Sequence, residues 1–193
     1  MTRVVLIRPG CTDYDEQDRI QGNLDIPLSS RGVQEVAQTA EELRAVPLSV
    51  IYGAAGKSAS DSARGIGKAI GIKVRKLGKL QNLNQGLWQG LQVEEVRRKH
   101  PRVYRQWCES PTMVCPPNGE TVIEAYQRVR DTLRSVLRRH RDEVIGLVVA
   151  EPLARVVRCY LLQHDLSRLW QAPATNGRWE MLEVAVERDP SHS

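Results

Sequence analysis

Arg8 and Gly10 are the first residues in the chain whose types and spacing suggest chemistry. They close an apolar run, Val4-Val5-Leu6-Ile7, and open a polar loop that continues through Thr12. A guanidinium and free backbone N–H groups at the end of a strand occupy the place where open α/β folds hold their ligands. Between them sits Pro9, which has no nucleophilic side-chain atom, no proton to transfer and no backbone N–H. Cys11 is the sharpest candidate nucleophile, because Arg8 could lower its pKa. Asp13, Tyr14 and Asp15 follow it at once, so the Cys-x5-Arg spacing that cradles a phosphate is absent. Cys11 therefore reads as an inert, half-buried thiol. His100, His140, His164 and His192 lie away from strand ends and read as surface or helix-end residues.

The elements that must position these residues alternate. Val4–Ile7, Leu48–Tyr52, Val144–Ala150 and Trp179–Val184 read as strands, with a shorter one over Ile72–Val74. Val144–Ala150 is a continuous apolar run, as in a central strand covered on both faces. Ser30–Leu43 carries Val33, Val36, Ala37, Ala40 and Leu43 at helical spacing, behind cap candidates in Leu28-Ser29-Ser30. Ser58–Ile70, Val93–Lys99 (stopped by Pro101), Glu120 to about His140, and Leu153–Leu162 read as further helices. Strand–helix alternation predicts an α/β fold, a three-layer α/β/α sandwich around a mostly parallel sheet. Residues 1–187 are expected to form a single domain, and 188–193 a disordered tail.

The chain has 193 residues, 41% hydrophobic and 26% charged, which is ordinary for a globular domain. No run of about 18 apolar residues occurs, so no membrane span or membrane partner is expected. The first strand begins at Arg3, which leaves no room for a signal peptide, and cytoplasmic localisation is the expectation. The four cysteines show no CxxC spacing and read as free thiols; no metal and no cofactor is expected. Net charge is +5, concentrated in Arg97–Arg102 and Arg128–Arg141. The second run reads as the solvated face of a helix whose other face is Val129, Leu133, Val136 and Leu137. With aromatics at 5% and no Phe, a stacking platform for nucleic acid is not expected.

Further motifs follow in order: Thr12, Arg19-Ile20-Gln21-Gly22, Asp25, Pro27-Leu28, Gly32, Gly86-Leu87-Trp88-Gln89-Gly90-Leu91, Asn118-Gly119-Glu120-Thr121 and Leu147-Val148-Val149-Ala150. Taken together, their spacing resembles the histidine phosphatase superfamily, the phosphoglycerate mutase-like proteins, over about residues 3–184. The resemblance implies that fold and phosphoryl transfer through a phosphohistidine, served by two histidines, two arginines and a glutamate. Only the first arginine has its counterpart, Arg8. The nucleophile position holds Pro9, the second arginine falls on Ser58, the acid on Asn82 and the second histidine on Glu151, with Pro152 after it. Lys57 and Arg64 could replace lost positive charge, although Lys57 precedes the arginine slot by one residue and should point elsewhere.

Replacement of the reactive set alone, with Arg19, Gln21, Gly22, Trp88 and Glu120 kept, implies a pseudo-phosphatase with a binding or regulatory role and no catalytic activity. A phosphatase or phosphoglycerate mutase-type enzyme with a rearranged site is the alternative, and an acidic-partner or nucleic-acid binder using the basic helices a second. Arg8, Gly10, Thr12, Arg19, Gln21 and Gly22 are the expected remnant of the ligand pocket. The partner is unassigned, a protein or a weakly held anion. An Arg8–Glu151 ion pair is expected inside the pocket, leaving it formally neutral and a poor phosphate site.

Overall fold

The computed structural model describes residues 1–170 and 178–184. Five strands form one sheet: β1 (Thr2–Ile7), β2 (Val50–Ala54), β3 (Val74–Leu77), β4 (Val144–Val148) and β5 (Trp179–Val184). Their order is β3-β2-β4-β1-β5, with β5 antiparallel to β1 and the other neighbours parallel. The α/β sandwich with a mostly parallel sheet is therefore present. Every residue of β4 is buried, as its unbroken apolar run requires. The tail expected over 188–193, together with 185–187, lies outside the described residues.

Among the described residues seven α-helices occur: α1 (Asp13–Glu16), α2 (Ser30–Leu43), α3 (Lys57–Ile70), α4 (Val93–Lys99), α5 (Pro101–Glu109), α6 (Val122–Arg139) and α7 (Leu153–Leu162). The pair α2–α3 and the pair α6–α7 cover the sheet, and the apolar stripes of all four enter the core. Ser29 caps α2 by accepting from the Gly32 N–H at 3.1 Å. Thr121 caps α6 through a capping box with Glu124, so that helix starts after Glu120. Glu120 instead takes the Arg128 guanidinium through both its oxygens.

Three boundaries differ from expectation. Pro101 does not end the helical region; it opens α5 at a first-turn position, where its missing N–H costs nothing. The short strand after α3 runs over Val74–Leu77, because Gly71 closes the helix in a left-handed conformation and Ile72 bonds back to Gly67. The second strand likewise sits two residues later, with Leu48 in a turn that bonds to Val46. His140 is buried at the end of α6, where its ring meets the Tyr52 hydroxyl at 2.8 Å and Glu143 at 2.9 Å. It lies at the sheet edge remote from Arg8. No described helix is long and apolar enough to cross a membrane.

Candidate active site

The site is built where β1 and β4 end side by side. The Val149 N–H still donates to Ile7 O at 3.0 Å, so Arg8 and Glu151 emerge from adjacent strands at one level. Arg8 Nε donates to Glu151 Oε1 at 2.9 Å, which is the expected ion pair. The pair is not isolated. Arg155, one helical turn beyond Glu151, approaches its other oxygen at 3.5 Å. Glu180 of β5 lies 3.9 Å from Arg8 Nη2 and 3.1 Å from Arg158 Nε. Arginines and glutamates thus alternate along Arg155, Glu151, Arg8, Glu180 and Arg158, with one cation in excess. Among the charged residues that line the cleft, Arg8 and Arg178 are balanced by Asp15 and Glu151. Glu180 Oε1 is buried with no hydrogen-bond partner among the described residues.

The loop after Arg8 is held by backbone contacts that leave no room for side chains. A Cβ on Gly10 would lie 2.2 Å from Gly32 O, and one on Gly32 would lie 2.0 Å from Cys11 O. Glycine at both positions lets the loop close on the start of α2. The Gly10 N–H donates to Ser62 Oγ at 3.0 Å, and the Cys11 N–H to Glu35 Oε2 at 2.8 Å. Glu35 also binds Arg31 and Arg178. Cys11 Sγ rests against Ser29 Oγ at 3.4 Å and Glu16 Oε1 at 3.6 Å. Burial, with the nearby Glu35 and Glu16 carboxylates, raises its pKa despite the Ser29 bond. A thiol so placed is a poor nucleophile at neutral pH.

A cavity of about 440 Å³ opens over this strand edge, lined by Arg8, Gly10, Cys11, Gln21, Glu151 and Arg178 among others. Ser58 lies at its floor and is 3% exposed. A second cavity of about 360 Å³ adjoins it and shares Gln21, Ser58 and Ala150. Its walls are the Gly22–Asp25 loop, the start of α3, and Lys76 of β3. Lys57 and Arg64 also line it, while both form ion pairs with Asp61. Lys57 lines this second cavity and not the one over Arg8, and its ammonium turns to Asp61.

Asn82 serves the backbone rather than a ligand. Its Nδ2 donates to Gly22 O at 2.9 Å and Glu151 O at 2.7 Å; its Oδ1 accepts from Leu83 N at 2.9 Å and Leu153 N at 3.2 Å. It clamps the Gly22 loop to the first turn of α7. Of the other expected ligand residues, Gly22 lines only the second cavity. Thr12 is buried as the cap of α1, with its hydroxyl 2.8 Å from Asp15 and 3.2 Å from Gln21. Arg19 turns outward from the cleft: it donates to Gly90 O at 2.7 Å and pins the Gly-x-Trp loop. Glu35, Arg155, Arg178 and Glu180 were not anticipated. Arg155 alone carried a signal, four residues after Glu151 on a helix. Among the described residues no group of His, Cys, Asp and Glu could hold a metal ion.

The family model described as histidine phosphatase superfamily (branch 1) matches residues 4–189. Phosphoserine phosphatase 1 of Hydrogenobacter thermophilus is 31% identical over 189 residues, covering 98% of this chain and 90% of that protein. Glucosyl-3-phosphoglycerate phosphatase of Mycobacterium tuberculosis is 31% identical over 150 residues, 78% of this chain and 62% of that protein. The solved structure of a mycobacterial glucosyl-3-phosphoglycerate phosphatase in complex with VO3 superposes with a TM-score of 0.86 at 26% identity, covering 94% of this chain and 90% of that one. Similarity of this extent to proteins named as phosphatases overturns the expected non-catalytic, pseudo-phosphatase role and favours the phosphatase alternative.

Proposed function

Because the chain belongs to the histidine phosphatase superfamily, we propose that it hydrolyses a small phosphate monoester in the cleft between the ends of β1 and β4, through a rearranged set of residues. The observation that carries this reading is the open cavity over Arg8, with Arg178 and Glu151 on its wall. Arg8 and Arg178 supply the positive charge that a phosphoryl dianion needs. The Gly10 loop, tied down by Ser62 and Glu35, keeps that charge in place.

Pro9 provides no nucleophile, so the attacking group in this reading is water. Glu151 is the base: it takes a proton as the water oxygen bonds to phosphorus and the ester P–O bond breaks. The same carboxyl then returns that proton to the departing alkoxide, and the products are an alcohol and hydrogen phosphate. Arg8 and Arg155 orient the carboxylate. No covalent phospho-enzyme forms on this route. The cytoplasm is the proposed compartment, in keeping with four free cysteines.

The test is phosphate release from O-phosphoserine, 3-phosphoglycerate and p-nitrophenyl phosphate. The expected result is turnover within the usual enzyme range, above about 1 s⁻¹ on the preferred ester, reduced about 10²–10⁴-fold by Glu151→Gln. Background rates with all three esters overturn the function. Phosphoryl transfer to added methanol, the mark of a phospho-enzyme, overturns the direct-water route.

A further inference from the structure

We propose that Glu180 is a positioning residue for this site: it receives the Arg8 guanidinium when Glu151 takes up a proton, so that Arg8 passes between two carboxylates during turnover. The proposal rests on the hydrolase reading above and adds to it a residue behind the reacting groups. Glu180 pairs across the sheet with Leu6, and the Arg8 N–H continues that ladder by donating to Arg178 O at 2.7 Å. Residues two apart on a strand share a face, so Arg8 and Glu180 are diagonal neighbours on one side of the sheet.

Two carboxylates therefore flank one guanidinium. Glu151 lines the cavity and holds Arg8 Nε at 2.9 Å through its Oε1. Glu180 stands behind Arg8, outside the cavity lining, with its side chain 12% exposed. Its Oε2 accepts from Arg158 Nε at 3.1 Å. Its Oε1 is buried with no hydrogen-bond partner among the described residues, and Arg8 Nη2 lies 3.9 Å from it. A buried carboxylate oxygen without a donor carries a desolvation cost that nothing offsets. A shift of about 1 Å at the end of the Arg8 side chain brings Nη2 to about 2.8 Å, the length of a charge-assisted hydrogen bond, and removes that cost.

The reaction supplies the push. As Glu151 takes the proton of the attacking water, its charge is lost. Its hold on Arg8 falls from that of an ion pair to that of a neutral hydrogen bond, while Glu180 keeps its charge. The other charged or titratable groups about Glu151 are Arg155 on α7 and, around the cavity, Cys11, Asp15 and Arg178. The one carboxylate among these, Asp15, already accepts from the Thr12 N–H and hydroxyl. Glu180 is thus the carboxylate placed to take Arg8. Return of the proton to the departing alkoxide restores the Glu151 charge and reverses the shift.

The experiment has a structural and a kinetic arm. Glu151→Gln mimics the protonated base, and crystal structures of this variant and the parent locate Arg8. The expected result is an Arg8 Nη2–Glu180 Oε1 distance that shortens to about 2.8 Å in the variant. Arg8 in the same place in both structures overturns the proposal. In the kinetic arm, Glu180→Gln keeps the shape of the side chain and removes its charge. It should lower kcat about tenfold, part of the factor that a positioned base contributes, with KM within about threefold of the parent. Arg158→Gln removes the other partner of Glu180 but leaves its charge beside Arg8, so kcat should not fall. Equal falls in both variants would make Glu180 a strap between β5 and α7 and overturn the proposal, as would a Glu180→Gln variant with parental kcat. If Glu180→Gln does not fold, the position of Arg8 in Glu151→Gln decides alone. Turnover by the parent with a stationary Arg8 removes the hand-over and leaves the hydrolase reading standing. A moving Arg8 in a protein without turnover does the reverse.

Discussion

Glu35 offers a direct test of how the site loop is held. The residue is 8% exposed on α2, accepts the Cys11 N–H at 2.8 Å and pairs with Arg31 and Arg178. Burial by itself raises a carboxyl pKa. Hydrogen bonds from Cys11 and the charges of Arg178 and Arg31 outweigh it and hold Glu35 below its ordinary 4.5. The Arg31 side chain is 70% exposed, so that pair adds little. Most of the worth lies in the Cys11 bond, at about 1.5–3 kcal/mol for a buried bond to a charged acceptor. Glu35→Ala should therefore cost about 2–3 kcal/mol at neutral pH, and Glu35→Gln, which keeps an acceptor, about 1–2 kcal/mol. The folded pKa lies below the unfolded value, so this contribution is complete above 4.5 and disappears as pH falls through the depressed folded value. Urea unfolding of parent and variants, from neutral pH down through that range, reads both effects. Variants within about 0.5 kcal/mol of the parent at neutral pH, or a difference that does not narrow on acidification, would refute the reasoning.

Asn82→Asp restores a carboxyl near the family's acid position, yet it should destabilise by about 2–3 kcal/mol, since oxygen would then face Gly22 O and Glu151 O. Equal melting temperatures for parent and variant would count against the clamp. Gly32→Ala places a Cβ against Cys11 O and should cost about 2–3 kcal/mol; amide exchange at Cys11 should rise with it, and unchanged exchange would contradict the close approach. Cys11, with its raised pKa, should react with iodoacetamide at neutral pH more slowly than a small free thiol. Peptide mapping of the alkylated protein measures this, and rapid labelling would show a thiolate that the burial argument excludes.

The sheet, its central strand and the order of the helices were legible in the chain because each rests on local pattern. Val144–Val148 is apolar without a break, and α2 and α6 carry their stripes and caps within a few residues. The loop at Arg8 and the Glu151 position were legible as well, through spacing that residues far apart in the chain preserve together. That reading went too far in one respect: the replaced side chains at Pro9, Ser58, Asn82 and Glu151 led to an expectation of no activity, which the phosphatase relatives overturn. What surrounds Arg8 could be decided only by folding. Glu180 and Arg178 reach the site because β5 pairs antiparallel with β1, bringing residues about 170 positions away alongside Arg8. Glu35 reaches Cys11 because two glycines let α2 press onto the loop. Ser58 looks like an ordinary small residue in sequence. Its place in the lining of both cavities exists only where α3, the Gly22 loop and β3 meet, and no local pattern records a contact among segments so distant in the chain.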